Sequence, residues 1–372
     1  MVRRLLDLIT VEAEKQHAAE QLKGPQHVFA LKQVLVHLSA HDLDGNNVLM
    51  RTASVETLAM FRELLDVVDD LKKPMPDQVK ELRTARNKAK KTLLMEAACS
   101  ASSRVFDRAV KSVLGEALGR AKEREEENHG DKIIAPDPEL VQQITAVDAS
   151  GTSLLMHAAR SGRVRVFDLL EEMLEDHLYP EQVAYQIAAR DLSGATLLMH
   201  AADGGCAMVI KFITLFEGVP DHRVLKQLDA KDVDGRTVLM RTAKRATRDV
   251  FLAFMGIRGQ PPTQMKAQLT AKDHSDASLL MQAARSGSLE VYERVMAAME
   301  QSTSLSDEQV AQELAATDLL RRTPLIYAAL GGDAEVFHAV AEDVRNKLGA
   351  QALMEQLMGK DCLRRVMLMH AA

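Results

Sequence analysis

Tryptophan is absent from this 372-residue chain, aromatic residues make up only 3% of it, and its three cysteines stand far apart. Few aromatics beside plentiful Ala, Leu and Met argue against a strand-rich fold, because aromatic and β-branched side chains are the usual strand formers. Cys99, Cys206 and Cys362 offer neither a zinc spacing nor an even disulfide framework, which points to a reducing compartment. No stretch reaches the ~18 apolar residues of a membrane span. The opening MVRRLLDLITVEAEK carries Asp7, Glu12 and Glu14, unlike a signal or transit peptide. A net charge of −6 is too mild to mark a nucleic-acid or membrane-surface binder. No GxGxxG, P-loop, HExxH or GxSxG phrase occurs. These absences lead to the expectation of a cytoplasmic protein without cofactor or metal, with secretion into a host cell as the alternative.

What is present is apolar residue in quantity, 47% of the chain. At this length one core rarely serves, so several domains or an elongated array are expected. A repeated phrase decides for the array. TLLMHAA at Met199 recurs as NVLMRTA at Met50, TLLMEAA at Met95, SLLMHAA at Met156, TVLMRTA at Met240, SLLMQAA at Met281, TPLIYAA at Ile326 and MLMHAA at Met369. Spacings run from 41 to 45 residues, with one of 61. Eight residues before each anchor stands an acid or its amide: Asp42, Asn87, Asp148, Asp191, Asp232, Asp273, Asp318 and Asp361. Gly45, Gly151, Gly194 and Gly235 hold the slot three further on, replaced elsewhere by Lys90, Asp276, Arg321 and Arg364.

Each phrase reads as a mechanism. Asp-x-x-Gly makes a turn, since Asp can bond its own backbone and Gly supplies φ > 0. Thr or Ser then caps a short helix, with Pro324 at the first helical position. A second glycine, such as Gly162 or Gly205, ends that helix. Apolar pairs follow at Met60-Phe61, Val105-Phe106, Val166-Phe167, Val209-Ile210, Val250-Phe251, Val291-Tyr292 and Val336-Phe337. They open the apolar stripe of a second helix, and the five phenylalanines that fall at this one repeat position are expected to be core. Upstream of five of the acids, apolar pairs at i, i+4 (Val183/Ile187, Val224/Leu228, Met265/Leu269, Val310/Leu314 and Leu353/Leu357), in segments opened by Pro, Ser or Asp, predict a third short helix.

The phase D-x-x-G-x-T-P-L-x-x-A-A resembles the ankyrin repeat, most closely in DLLRRTPLIYAALGGDAEVF (Asp318–Phe337). The resemblance covers about half of each unit, seven times over and in a final fragment. It implies an all-α, ankyrin-like α-solenoid of helix-turn-helix repeats, here with an additional short helix per repeat. Two departures stand out. Family units run to about 33 residues, and Met or Ile replaces the family's anchor His, which removes its turn-tethering hydrogen bond. An armadillo-like or HEAT-like solenoid is the runner-up. The expected organisation is a helical N-terminal cap over 1–41 and an array over 42–372. Its units start near 42, 87, 148, 191, 232, 273 and 318, with a partial unit from 361 and a charged insertion at 119–138. That insertion reads as a solvated helix extension or mobile loop. Because the chain stops inside the eighth phrase, a longer parent protein or a covering partner is expected.

His157, His200 and His370 share one repeat position with Arg51, Glu96, Arg241, Gln282 and Tyr327. Such variety reads as a half-exposed surface site. Helices packed about 10 Å apart cannot bring these histidines to the ~2 Å that zinc requires. Catalysis is therefore not expected. The resemblance implies a concave face of turn tips and first helices, where varied side chains make contacts. The residues matching those positions are Arg236, Arg321, Arg322, Arg364 and Arg365 at tips, Arg160, Lys244, Arg245 and Arg285 at helix ends, with Arg241 and His200 on the helix itself. This basic column suits another protein's acidic or phosphorylated segment. Nucleic acid is not expected, for want of stacking aromatics. The expected function is a non-catalytic protein–protein interaction scaffold. The alternative is a regulatory or targeting arm of a larger enzyme or secreted pathogen effector.

Overall fold

The computed structural model describes residues 26–55, 58–100, 102–127, 136–214, 226–244, 248–255, 262–362 and 365. Among them the chain is all-helical with no strand, and it divides into two compact units, Met1–Leu192 and Ser193–Ala372.

In the first unit a leading helix, α1 (Gln26–Leu38), buries Val34 and Leu38; residues 1–25 of the expected cap lie outside the described residues. Three modules follow, each a short first helix, a longer second helix and a short third one. The first module has α2 (Val48–Ser54), α3 (Leu58–Lys72) and α4 (Pro76–Thr84). The next has α5 (Leu93–Cys99), α6 (Ser103–Glu127) and α7 (Pro138–Ile144), and the last α8 (Leu154–Ser161), α9 (Val164–His177) and α10 (Pro180–Ala188). In the second unit come α11 (Leu197–Gly204) and α12 (Cys206–Thr214), then α13 (Val238–Lys244), α14 (Arg248–Met255) and α15 (Pro262–Leu269). They are followed by α16 (Leu279–Arg285), α17 (Leu289–Gln301) and α18 (Asp307–Ala315), and by α19 (Pro324–Gly331), α20 (Ala334–Leu348) and α21 (Ala350–Met358).

First helices pack side by side: α2 on α5 on α8 in one unit, and α11 on α13 on α16 on α19 in the other. That sandwiching explains their composition, because a short helix with neighbours on both flanks must be apolar nearly all round. Leu93, Leu94, Met95, Ala97 and Ala98 are all buried, and so are the anchors Met50, Met156, Met199, Met240, Met281 and Ile326. The small alanines let the helices approach. Each helix opens on a side-chain cap: Ser153 Oγ accepts the Met156 N–H at 3.2 Å, and Thr92 accepts that of Met95 at 3.3 Å. Asn47 replaces Thr or Ser in the first module and accepts the Met50 N–H at 3.0 Å.

The second helices correct one expectation. Phe61, Phe106, Phe167 and Phe251 are buried, as is Tyr292, but Phe337 is half-buried, and Met60 and Ile210 are exposed. Adjacent helical residues point about 100° apart, so both members reach the core only where the apolar stripe is wide.

Turn tips are joined within each unit by backbone hydrogen bonds in a constant register. The residue after the turn acid donates its N–H to the carbonyl two past the preceding acid. In the first unit these are Lys88 to Asp44 at 2.9 Å, Ala149 to Ala89 at 2.7 Å and Leu192 to Ser150 at 2.8 Å. In the second they are Val233 to Ser193 and His274 to Asp234 at 2.8 Å, Leu319 to Ser275 at 2.9 Å and Cys362 to Leu320 at 3.0 Å.

The charged insertion is anchored on both sides. Helix α6 runs through it to Glu127, residues 128–135 lie outside the described residues, and Asp137 caps α7 through the Glu139 and Leu140 N–H groups. Arg120 of α6 reaches across to Asp137 and Glu139, each at 2.9 Å. Its guanidinium holds the Asp137 carboxyl below the usual range, and Lys80 followed by Arg120 does the same for Glu139.

Candidate partner-binding surface

The turn acid organises its loop. Asp148 Oδ1 accepts the N–H groups of Ser150 at 2.8 Å and Thr152 at 3.0 Å, and Asp232, Asp273 and Asp318 repeat the pattern. The glycine slot is left-handed in the seven turns where it is described: Gly45, Gly151, Gly194 and Gly235 have φ between 72° and 80°, while Lys90, Asp276 and Arg321 are held at 58°, 60° and 58°. The geometry therefore outweighs residue preference, at a cost of about 1 kcal/mol for each non-glycine residue.

The second carboxylate oxygen explains the position after the anchor. His157 Nε2 meets Asp148 Oδ2 at 2.9 Å, Gln282 Nε2 donates to Asp273 Oδ2 at 3.2 Å, and the Tyr327 hydroxyl donates to Asp318 Oδ2 at 2.9 Å. Where the slot holds Glu96, the turn acid is replaced by Asn87, whose Nδ2 donates to Glu96 Oε1 at 3.2 Å. The expectation of a half-exposed contact site at His200 is thus overturned: His157 and His200 are each only 4% exposed, and Gln282 and Tyr327 are buried too. The variety of residues reflects several ways of reaching the turn from inside the fold.

The cations of the expected column fall into three groups. Four are engaged by carboxylates. Arg241 bonds Asp203 at 3.3 Å and lies 3.7 Å from Asp232. Arg236 bonds Asp234 at 2.7 Å. Arg322 bonds Asp318 at 2.7 Å and lies over the Tyr327 ring at 4.9 Å, and Arg365 bonds Asp361 at 2.8 Å. Arg160, Arg285 and Arg321 are exposed, with no carboxylate partner among the described residues. Arg245 and Arg364 lie outside the described residues, and of Lys244 only the backbone is described, as the last residue of α13.

Two features of the tips were missed in the sequence. In four of the turns the residue after the turn acid is a large apolar side chain left exposed: Leu43 is 91% exposed and Leu192 75% in the first unit, Val233 59% and Leu319 63% in the second. An apolar side chain recurring inside a polar turn was the available signal. The turn Arg86–Lys91 is also basic, with Arg86, Lys88 and Lys90 exposed; Arg86 donates to the Val147 carbonyl at 3.1 Å.

Among the described residues no group of three or more His, Cys, Asp or Glu side chains could hold a metal ion, and no helix is long and apolar enough to cross a membrane. No protein-family model matches the chain, and no curated protein matches it.

Proposed function

We propose that this chain is an ankyrin-like α-solenoid that performs no chemistry of its own in partner recognition and binds an acidic or phosphorylated segment of another protein. Turn tips and first-helix ends would form the concave binding face. One observation carries the reading: cations remain exposed on a hydrogen-bonded rim whose turn acids are engaged in holding their own loops. A rigid rim lowers the ordering cost of binding, and Arg matches the geometry of carboxylate and phosphate. A few such anchors, with Leu319 and Val233 beside them, would carry most of the affinity.

Reversing Arg241 attacks an internal ion pair and would disturb folding, whereas reversing Arg285 and Arg321 to Glu should leave the fold intact. In affinity capture followed by mass spectrometry, Arg285→Glu/Arg321→Glu is expected to lose the partner that the native chain retains, with an unchanged helical circular dichroism spectrum. Undiminished capture of the same partner would refute this placement of the interface.

A further inference from the structure

Cys99 closes α5, exposed as a residue, and its thiol makes a part-buried contact in which Sγ lies 3.4 Å from His157 Nδ1. The opposite ring nitrogen, Nε2, lies 2.9 Å from Asp148 Oδ2. An ionised carboxylate only accepts, so Nε2 carries a proton, and in the neutral form of the ring Nδ1 presents its lone pair to the thiol. Asp148 is itself fixed by two backbone N–H groups and stands ready to compensate an imidazolium. The other two cysteines lack this arrangement. Cys206 turns its thiol to the Asp249 carbonyl at 3.6 Å, and exposed Cys362 has no imidazole partner among the described residues.

We propose that Cys99, with His157 as its proton acceptor, is a site oxidised by hydroperoxides to a sulfenic acid. Burial pushes the thiol up; among the nearby charges Lys91 and Arg160 pull it down, while Glu96 and Asp148 push it further up. The resting sulfur is therefore protonated, and the adjacent base is what activates it. In the reaction the S–H proton passes to Nδ1, and the sulfur attacks one oxygen of hydrogen peroxide. The O–O bond breaks, and the departing hydroxide takes the proton from Nδ1 and leaves as water. Sulfur is oxidised, peroxide is reduced, and His157 returns to its neutral form. Acyl transfer fits poorly, because the thiol sits at the C-terminal end of α5, where backbone carbonyls rather than N–H groups are left over. A peroxide needs no oxyanion cradle. With no second cysteine in residues 1–192, the sulfenic acid has no resolving partner in its own unit.

The chain supplies its own control variant. Gln282 occupies the slot of His157 and keeps the tether to its turn acid, so His157→Gln should preserve the fold while removing the base. The test follows sulfenic acid formation at each cysteine under dilute hydrogen peroxide, by dimedone trapping and mass spectrometry. Cys99 is expected to react about tenfold or more faster than Cys206 and Cys362. His157→Gln should bring it down to their rate, with an unchanged melting temperature. If His157→Gln is unstable, His157→Tyr, which copies the Tyr327 tether, gives the same readout. Cys99 reacting no faster than the other two, or equally fast without His157, would overturn the proposal.

Discussion

The turns at Asn87 and Asp148 are neighbours in one unit and share one backbone path, yet their chemistry is inverted. At Asp148 a carboxylate accepts from His157; at Asn87 an amide donates to the Glu96 carboxylate. Their left-handed slots differ too, Gly151 at φ 73° against Lys90 at φ 58°. Four of the described turns thus match a donor with an acceptor at this place, with no fixed residue type, while Arg51 in the first module is exposed. Identity is exchangeable where complementarity is not.

The largest effect is expected from breaking complementarity at the better-buried turn. His157→Glu would set two carboxylates against each other where both side chains are 5% exposed. It should destabilise by about 3 kcal/mol, against less than about 1 kcal/mol for His157→Gln, as read by urea denaturation. Next comes the backbone slot. Gly151→Ala would place a Cβ 3.1 Å from both Leu192 N and Cγ at positive φ, costing about 1–2 kcal/mol. Lys90→Gly should do the reverse and stabilise by about 0.5 kcal/mol, because relief of strain is partly offset by the entropy of the unfolded glycine.

A smaller, pH-dependent effect concerns the insertion that separates these two turns. Asp137 and Glu139 are held below their ordinary values, so their contribution is fully present above the usual carboxylate range. It is lost as pH falls through the lowered values. Arg120→Gln should therefore lower the melting temperature at pH 7, and the gap to the native chain should close on acidification below about pH 4. A gap that persisted in acid would show that Arg120 acts through packing rather than charge.

Much of this was legible in the sequence. Asp-x-x-Gly, the Thr or Ser cap and the phased Leu-Met-Ala-Ala run gave turn, cap and buried helix because each has a local cause. The i, i+4 pairs likewise gave the third helices at α10, α15, α18 and α21, whereas α4 and α7 were not read from the sequence and the copy at Val224 begins outside the described residues. The slot holding His157, Glu96, Gln282 and Tyr327 was misjudged because diversity reads as exposure. Those residues share reach and hydrogen-bonding capacity, and those properties matter only once the turn folds back over the helix. The joint change to Asn87 and Glu96 within one unit was the signal that could have revealed it. The division of the cations was equally hidden, since engagement of Arg241 by Asp203 depends on which helices are neighbours.

The central claim, that turn and first helix are held by a complementary pair, is tested most directly by rebuilding one pair as another. Asn87→Asp with Glu96→Gln recreates the Asp273–Gln282 arrangement. Denaturation of the four proteins in that cycle should show Asn87→Asp destabilising alone, with the added Glu96→Gln recovering about 1–2 kcal/mol. Strictly additive effects, with no recovery in the double variant, would contradict the account.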